Sequence, residues 1–362
     1  MPSETPFPRS SLSQLADQSL AADGLQEWPA DSWEVVKKTD ALRCCIPREY
    51  GGLGSGSCEL LEAYECLSSA CLTICFILTQ RDAACRRLLA SENEQFRDLL
   101  PRLAEGATFA TVGLSQLTTS RQHGRPVFSA HEDGDDIVLE GTIPWVTAAS
   151  RADYVVVGAT LRDDSRQILI LVPTRTPGVQ VGEPMSLMAL QGSLTTEVEC
   201  RNVRLDRRWL LAGPDEKVMQ GKSGGAGGLQ TSALGIGLAR GCIQFLKQQS
   251  QQREGLRSGA ERLERTFNEL REQLHRLARC QDESQDKPSP NAMTQLRARV
   301  NQLAVQASQA TLIAAKGAGF LRDHKAQLWV RQAMFFLVWS CPWPAASATL
   351  DYLTFAPVQD CE

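Results

Sequence analysis

An aromatic residue and a hydroxyl residue, Trp145 and Thr147, stand two positions apart within residues 141–158. An indole ring offers an aromatic surface, and a threonine hydroxyl can donate and accept hydrogen bonds. The surrounding stretch, residues 141–158, predicts two strands around a tight turn. Because strand side chains repeat every two residues, we expect Trp145 and Thr147 on one face. A plain β-hairpin with a core tryptophan is the alternative.

The histidines and cysteines do not form a recognisable catalytic or metal-binding pattern. The four histidines, at positions 123, 131, 275 and 324, are scattered, and none pairs with a cysteine or serine at a catalytic spacing. The twelve cysteines contain no Cys-x-x-Cys pair and no partner set with zinc spacing. We therefore predict reduced thiols, no metal site and a cytoplasmic location.

Charge and hydropathy exclude several classes of protein. The 362-residue chain has a net charge of −4, with 43% hydrophobic and 22% charged residues. These values are ordinary for a globular protein and give no reason to expect nucleic acid as a partner. The apolar runs are shorter than a membrane-spanning helix needs, and the N-terminus lacks the pattern of a secretory signal. We predict no membrane span.

The periodicity of apolar residues divides the chain into three regions. Residues 1–106 predict an N-terminal helical domain, with one helix over Leu12 to Leu25 and one or two more over Cys58 to Leu89. Residues 107–213 switch to period two and predict a β-barrel or sandwich. Residues 214–362 predict a C-terminal helical bundle. The fold class is therefore α+β.

Particular segments support these regions. Strands are predicted at 127–128, 137–139, 154–157, 168–172 and 179–181. C-terminal helices are predicted over 256–280, 292–320 and 326–340. The glycine-rich residues 221–228 predict a linker; they contain Gly-Lys-Ser, but lack the earlier glycine and the strand that a phosphate-binding loop requires.

The segment Gly-Thr-Ile-Pro-Trp-Val-Thr, residues 141–147, resembles the flavin-binding hairpin of acyl-CoA dehydrogenases. Further resemblances follow in the order of that family. They are Ile-Pro-Arg-Glu-Tyr-Gly-Gly-Leu-Gly-Ser at 46–55, Pro-Arg-Leu-Ala at 101–104, Leu-Gln-Gly-Ser-Leu-Thr-Thr-Glu-Val-Glu at 190–199 and the run from Gly317 to Ala333. Together they extend from about residue 40 to about residue 340.

The resemblance implies an FAD flavoprotein with the layout helices, β-domain, helices. It implies that Trp145 packs on the flavin ring and Thr147 hydrogen-bonds its edge. It also implies that Ser115 lies near the pyrimidine edge, that Ser120 meets the phosphate, and that Gly113 belongs to the same binding segment. The usual glycines of the phosphate loop are missing from 115–121, and a polar surface loop is the alternative for that segment.

The resemblance also identifies a departure from the family. The family's catalytic glutamate falls on Ser340, and the alternative position used by some members falls on Gly225. A serine hydroxyl cannot replace a carboxylate as acceptor of an α-proton near neutral pH. Three functions remain open: an acyl-CoA dehydrogenase with an unrecognised base, a flavin monooxygenase or oxidase on the same fold, and a non-catalytic flavin-binding or assembly subunit.

The resemblance implies partners as well. They are an acyl-CoA or a related small molecule, an electron-transfer flavoprotein as redox partner, and further copies of the chain in a homodimer or homotetramer. The family's Arg-x-x-Phe-Gly segment, which reaches the pyrophosphate of a neighbouring subunit's FAD, falls near residues 251–255. Glu254 stands in place of the phenylalanine, and Arg253 and Arg257 are close enough to substitute for the arginine. His324 lies in a segment that runs near the same subunit contact.

Overall fold

The protein is described from a computed structural model, which covers residues 6–118, 127–220, 228–283 and 289–354. Side chains of Gln220, Gln281 and Glu283 are outside this description.

The N-terminal region is helical. Its α-helices are α1 (Arg9–Gly24), α2 (Ala30–Lys37), α3 (Ser57–Ala70), α4 (Leu72–Ala90) and α5 (Leu100–Ala104), with short 3-10 turns at Asp40–Arg43, Arg48–Tyr50 and Glu94–Leu99. Helix α4 is buried around most of its circumference; its N-terminal half is apolar, and its buried Arg81 and Asp82 pair with each other. The 46–55 segment bends back sharply at Gly52, where a Cβ atom would lie 1.8 Å from the Ile46 carbonyl oxygen.

The middle region is one eight-stranded sheet. Its strands are β1 (Ala110–Gly113), β2 (Phe128–Asp133), β3 (Asp136–Val146), β4 (Tyr154–Leu161), β5 (Gln167–Pro173), β6 (Val179–Val181), β7 (Thr196–Asp206) and β8 (Leu210–Asp215). They follow the order β6-β7-β3-β2-β4-β5-β8, and β1 pairs with β4. All five predicted strands are present, while β1, β7 and β8 were not predicted.

The two faces of this sheet explain its sequence pattern. One face encloses an apolar core from β2, β3, β4, β5 and β7. The outer face of β4 and β5 packs against α4 and α5, so both strands are buried on two sides and are apolar at nearly every position. Strand β7 alternates between buried and exposed residues.

The prediction of a hairpin at residues 141–158 was wrong. Strand β3 pairs with β2 and β7, whereas β4 pairs with β1, β2 and β5. The connection from residue 147 to 153 therefore joins two strands that are not paired with each other. Two apolar strands close in sequence predict a hairpin only when no other strand competes for their edges, and here β2 does so.

The C-terminal region returns to helices. They are α6 (Leu229–Ser250), α7 (Arg257–Glu283), α8 (Pro290–Ala315), α9 (Lys325–Val338) and α10 (Trp343–Thr354), with a 3-10 turn at Lys316–Phe320 before α9. One apolar core joins α1–α4 to α6–α9 and contains Ala148, Ala189 and Leu190 from the middle region. These three residues mark the junction of the three regions.

The change from helix to strand falls between Ala104 and Ala110, close to the predicted boundary at 106, while the boundary at 213 falls inside β8. The linker at 221–227 lies outside the described residues. The division into three domains at these two boundaries stays a prediction.

Candidate functional site

A row of buried hydroxyls lies at this junction. Thr147 Oγ1 is 3.3 Å from Thr195 Oγ1, which is 2.9 Å from Ser193 Oγ. The three side chains are at most 1% exposed. The Ala148 amide donates to the Ser193 carbonyl oxygen at 2.8 Å, and the Thr111 hydroxyl donates to the Thr147 carbonyl oxygen at 2.8 Å. The fold thus brings the predicted Thr147 to the 190–199 segment; we call Thr147, Thr195 and Ser193 the hydroxyl row.

Trp145 lies beside the hydroxyl row but in a different environment. Its side chain is 41% exposed, whereas Thr147 is buried. The pairing of β3 with β7 shifts register between Ile143 and Val146, and Trp145 has a φ of 58°. The regular alternation of side chains along a strand therefore cannot be used to assign Trp145 and Thr147 to one face, because this irregularity interrupts the alternation.

The structure brings two further predicted cofactor residues to the same end of β3. Ser115 Oγ donates to the Pro144 carbonyl oxygen at 3.1 Å. Gly113, in β1, packs so closely that a Cβ atom would lie 2.5 Å from the Ile143 side chain. Because β1 and β3 approach each other so closely, a residue with a side chain would not fit at position 113. Ser120 lies outside the described residues.

A buried carboxylate that the sequence analysis missed links the three regions. Asp23, on α1, is 0% exposed and accepts hydrogen bonds from the Leu190 amide at 2.6 Å, Gln332 Nε2 at 3.1 Å and Arg331 Nη1 at 3.0 Å. Arg331 also donates to the Met188 carbonyl oxygen at 2.6 Å. These hydrogen bonds offset the cost of burying the carboxylate. In the sequence, a single aspartate on the apolar face of α1 could have predicted this buried group.

The predicted base position lies at the end of α9. Ser340 is partly buried and has a φ of 45°. The preceding Trp339 stacks on Phe335, with ring centres 5.5 Å apart, and meets Phe76 of α4 edge-on at 4.8 Å. An aromatic cluster therefore fixes the backbone that presents Ser340. Gly225, the alternative position, lies outside the described residues.

A buried arginine holds the end of α9. Arg297, on α8, donates from Nη2 to the carbonyl oxygens of Phe336 and Trp339, each at 3.0 Å, and from Nε to Asn301 Oδ1 at 2.8 Å. Burial lowers the pKa of Arg297 to about 10, and Nη1 has no hydrogen-bond partner among the described residues. The guanidinium replaces the helical hydrogen bonds that these last carbonyl groups lack.

Unusual backbone conformations concentrate around the site. Four residues at the junction have positive φ without being glycine, namely Trp145, Ala148, Leu190 and Leu194, and Ser340 has one after the end of α9. Side chains as bulky as tryptophan and leucine avoid this region unless the surrounding structure enforces it. Such outliers cluster at functional sites more than elsewhere, which favours this junction as the candidate site.

His324 and Arg253, which the resemblance also singled out, have structural partners. His324 Nδ1 accepts from the Ala326 amide at 3.0 Å and begins α9. Arg253 donates to the Ala314 carbonyl oxygen at 2.5 Å and to Gln249 at 2.6 Å. His123 lies outside the described residues.

The sequence and fold place the chain in a known family. Residues 9–107 match the profile described as acyl-CoA dehydrogenase, N-terminal domain, and residues 118–203 match acyl-CoA dehydrogenase, middle domain. Together they span just over half of the chain. The chain belongs to the acyl-CoA dehydrogenase family.

Curated relatives match part of their own length. A probable acyl-CoA dehydrogenase, YngJ, of Bacillus subtilis (strain 168) is 27% identical over 64% of this chain and 62% of its own length. Acryloyl-CoA reductase (NADH) of Anaerotignum propionicum is 26% identical over 60% of this chain and 57% of its own length. The aligned region thus spans about three fifths of these relatives.

Solved structures match the whole fold. Butyryl-CoA dehydrogenase from Megasphaera elsdenii superimposes with a TM-score of 0.81 at 16% identity, covering 95% of this chain and 96% of that one. A glutaryl-CoA dehydrogenase from Mycobacterium smegmatis in complex with FADH2 gives 0.77 at 18%, covering 98% and 96%. The predicted fold is therefore confirmed as an acyl-CoA dehydrogenase fold. Among the described helices, none has an apolar stretch long enough to cross a membrane.

Proposed function

We propose that the protein is an FAD flavoprotein and an oxidoreductase of the acyl-CoA dehydrogenase type, acting on CH–CH groups of acyl thioesters. The observation that carries the proposal is the hydroxyl row beside Trp145, at the junction of the three regions in a chain of this family. The flavin, when bound, supplies the chemistry of hydride transfer.

The residues present fit the ring of that cofactor. Trp145 offers an exposed aromatic surface, and Thr147, Thr195 and Ser115 offer hydroxyls that can donate to ring nitrogens and oxygens. The hydroxyls of Thr147 and Thr195 hydrogen-bond each other and are buried, so a contact with the ring requires them to exchange that bond for one to the cofactor. Gly113 and Ser120 complete the proposed cofactor residues.

At position 340, the chain lacks an evident group for removing the substrate's α-proton. Removal of an α-proton needs a group whose pKa lies near the working pH, and a serine hydroxyl is not such a group. Ser340 therefore does not act as the base. We propose that α,β-desaturation by this chain is very weak unless another residue accepts the proton.

Ser340 also favours a second function. A flavin monooxygenase or oxidase on the same fold requires a cofactor and a site that excludes water, but not a carboxylate at that position. The packing of Trp339 on Phe335 and Phe76 supplies an apolar wall next to Ser340. A non-catalytic flavin-binding or assembly subunit is consistent with the same residues.

The proposed substrate is an acyl-CoA, in line with the names of the relatives acryloyl-CoA reductase and short-chain specific acyl-CoA dehydrogenase. An electron-transfer flavoprotein is the proposed redox partner; the proteins of similar fold include an electron transferring flavoprotein of Acidaminococcus fermentans. We propose a cytoplasmic location, because the eleven described cysteines are free thiols.

We further propose a homodimer or homotetramer. Large apolar side chains stand exposed on the C-terminal helices and the turn before α9, namely Ile313, Phe320, Leu321, Val338, Trp343, Leu350 and Leu353. Exposed apolar groups in such number mark an interaction surface. Light scattering at micromolar concentration tests this proposal, and a single mass near the 39.7 kDa of one chain would contradict it.

An absorption spectrum of the purified protein tests the flavin proposal. We expect bands between roughly 350 and 500 nm from the bound chromophore. Stopped-flow mixing with acyl-CoAs of several lengths then tests the substrate. A colourless protein that takes up no added FAD would contradict the flavoprotein proposal, whereas bound flavin that acyl-CoAs never bleach would favour the second function.

A further inference from the structure

A buried group of two thiols and a carboxylate lies apart from the hydroxyl row. Cys45 follows the turn at Asp40–Arg43, while Asp82 and Cys85 are on α4. One ligand atom from each of these three residues lies within 4.8 Å of the other two. Cys85 and Asp82 are 0% exposed and Cys45 is partly exposed. We call these residues the dithiol cluster.

An arginine fixes the charge of the dithiol cluster. Arg81 Nη1 donates to Asp82 Oδ1 at 2.6 Å and lies 3.7 Å from Cys45 Sγ, while Nη2 donates to the Leu103 carbonyl oxygen at 2.5 Å. The guanidinium is 1% exposed, so it cannot turn out to solvent. A metal cation among the three ligands would lie beside this fixed positive charge, and the geometry therefore disfavours a metal site.

The same surroundings distinguish the two thiols. A hydrogen bond with Cys45 lowers the pKa of Cys85, and the positive charges of Arg81 and Arg86 act in the same direction against burial and Asp82. The same hydrogen bond, together with burial, raises the pKa of Cys45. Cys85 is thus the better nucleophile, and Cys45 is the neighbouring thiol that solvent can reach.

We propose that Cys45 and Cys85 form a modification site, at which a small hydroperoxide converts the two thiols reversibly into a disulfide. The sulfur of Cys45, the partly exposed thiol, attacks a peroxide oxygen, so that an S–O bond forms, the O–O bond breaks and hydroxide leaves. The Cys85 sulfur then attacks Cys45; the S–S bond forms, the S–O bond breaks and water leaves. In total two thiols and one hydrogen peroxide give one disulfide and two waters.

A disulfide between Cys45 and Cys85 would cross-link two separate parts of the N-terminal region. Cys45 directly precedes the 46–55 segment, and Cys85 is on α4, which packs against the outer face of the sheet. A disulfide would join two elements that are 40 positions apart in the chain. The proposal does not depend on the flavin or on any catalytic activity.

The experiment maps the thiols of the full-length wild-type protein. The reduced protein is treated with one equivalent of hydrogen peroxide, unfolded in N-ethylmaleimide and digested for mass spectrometry. We expect a linked peptide pair containing Cys45 and Cys85, about 2 Da lighter than the sum of the reduced peptides, that dithiothreitol separates. Alkylation of both cysteines after peroxide treatment would overturn the proposal.

Matched variants complete the test. Cys44→Ser changes the adjacent thiol, whose pKa burial raises to about 12, and should leave the linked pair unchanged. Cys45→Ser should abolish the pair and leave the buried Cys85 reduced, whereas Cys85→Ser should leave Cys45 as a sulfenic acid. One equivalent of zinc bound by the reduced wild type and lost in Cys45→Ser would overturn the proposal in favour of a metal site.

Discussion

The two sides of the candidate site differ in what they retain of the family. The sheet side keeps an aromatic surface and three hydroxyls, at Trp145, Thr147, Thr195 and Ser193. The helical side has Ser340 at the position where we expect the family's carboxylate, and a buried arginine that holds the helix before it. Binding of a cofactor ring draws on many contacts, whereas proton transfer depends on one group. One side can therefore persist after the other has changed.

The sharpest test of this difference restores a carboxylate to the helical side. Ser340→Glu should raise the rate of flavin bleaching by an acyl-CoA by roughly 10²–10⁴-fold, the usual contribution of a general base. Stopped-flow absorbance measures the rate. Ser340→Gln, which has the same shape without the charge, and Ser340→Ala should both behave as wild type.

Rapid bleaching in the wild type would show that a base exists elsewhere, and the assignment to Ser340 would then be wrong. Absence of bleaching in Ser340→Glu as well would favour the monooxygenase or the non-catalytic function.

The next test asks how firmly the helical side is held. Arg297→Ala should lower the free energy of unfolding by about 2–5 kcal/mol, because it leaves a cavity and unpaired carbonyl groups at the end of α9. Denaturant titration measures the change. Arg297→Met should cost less, since it keeps the stem and avoids burying a charge.

Arg299 provides the matched control. It is on the same helix and pairs with Glu269 at 3.3 Å on the surface, so Arg299→Ala should change stability by no more than about 1 kcal/mol. Equal losses in Arg297→Ala and Arg299→Ala would show that the buried contacts of Arg297 do not hold α9.

On the sheet side, Trp145→Ala should weaken FAD binding roughly threefold to tenfold or more, because an aromatic pair contributes about 0.5–1.5 kcal/mol beyond the area it buries. Titration of the apoprotein with FAD measures the affinity. Trp145→Phe keeps an aromatic face and should lose much less. Unchanged affinity in Trp145→Ala would remove this tryptophan from the proposed ring contact.

The hydroxyl row should respond more weakly. Thr195→Val removes the hydroxyl between Thr147 and Ser193, which leaves buried groups without a partner and should lower the free energy of unfolding by about 1 kcal/mol. Thr195→Ser keeps the hydroxyl and is the control. If both variants lose the same stability, packing of the methyl group rather than the hydrogen bonds is responsible.

The smallest expected effect is a dependence of stability on pH that comes from one histidine of α7. Burial, and next the charge of Arg271, lower the pKa of His275 on α7. The unfolded chain therefore binds a proton that the folded chain does not, and stability should fall as pH decreases below about 6.5, by at most about 1.4 kcal/mol per pH unit from this residue. His275→Gln should reduce that slope in denaturant titrations; an unchanged slope would contradict the assignment.

Local patterns were enough to predict the three regions, five of the eight strands and most of the helices. Strands β4 and β5 were visible because burial on both faces makes them apolar throughout, and α7 because one face alone is buried. Three strands were missed: β1 has only four residues, β8 contains Gly213 and Pro214, and β7 follows a segment with two leucines in the left-handed conformation. Family motifs pointed to Trp145, Thr147, Ser115 and Ser340 as site residues, without giving the contacts that each of them makes.

What only the tertiary structure decided is the pairing of distant groups. The insertion of β2 beside β3 and β4 replaced the expected hairpin, because strand pairing depends on which edges remain free. The contact of Thr147 with Thr195, the three-way junction at Asp23, the hold of Arg297 on α9 and the approach of Cys45 to Cys85 all join residues far apart in sequence. Periodicity records which face of an element is buried, but not which partner covers it; that depends on the packing of the whole chain.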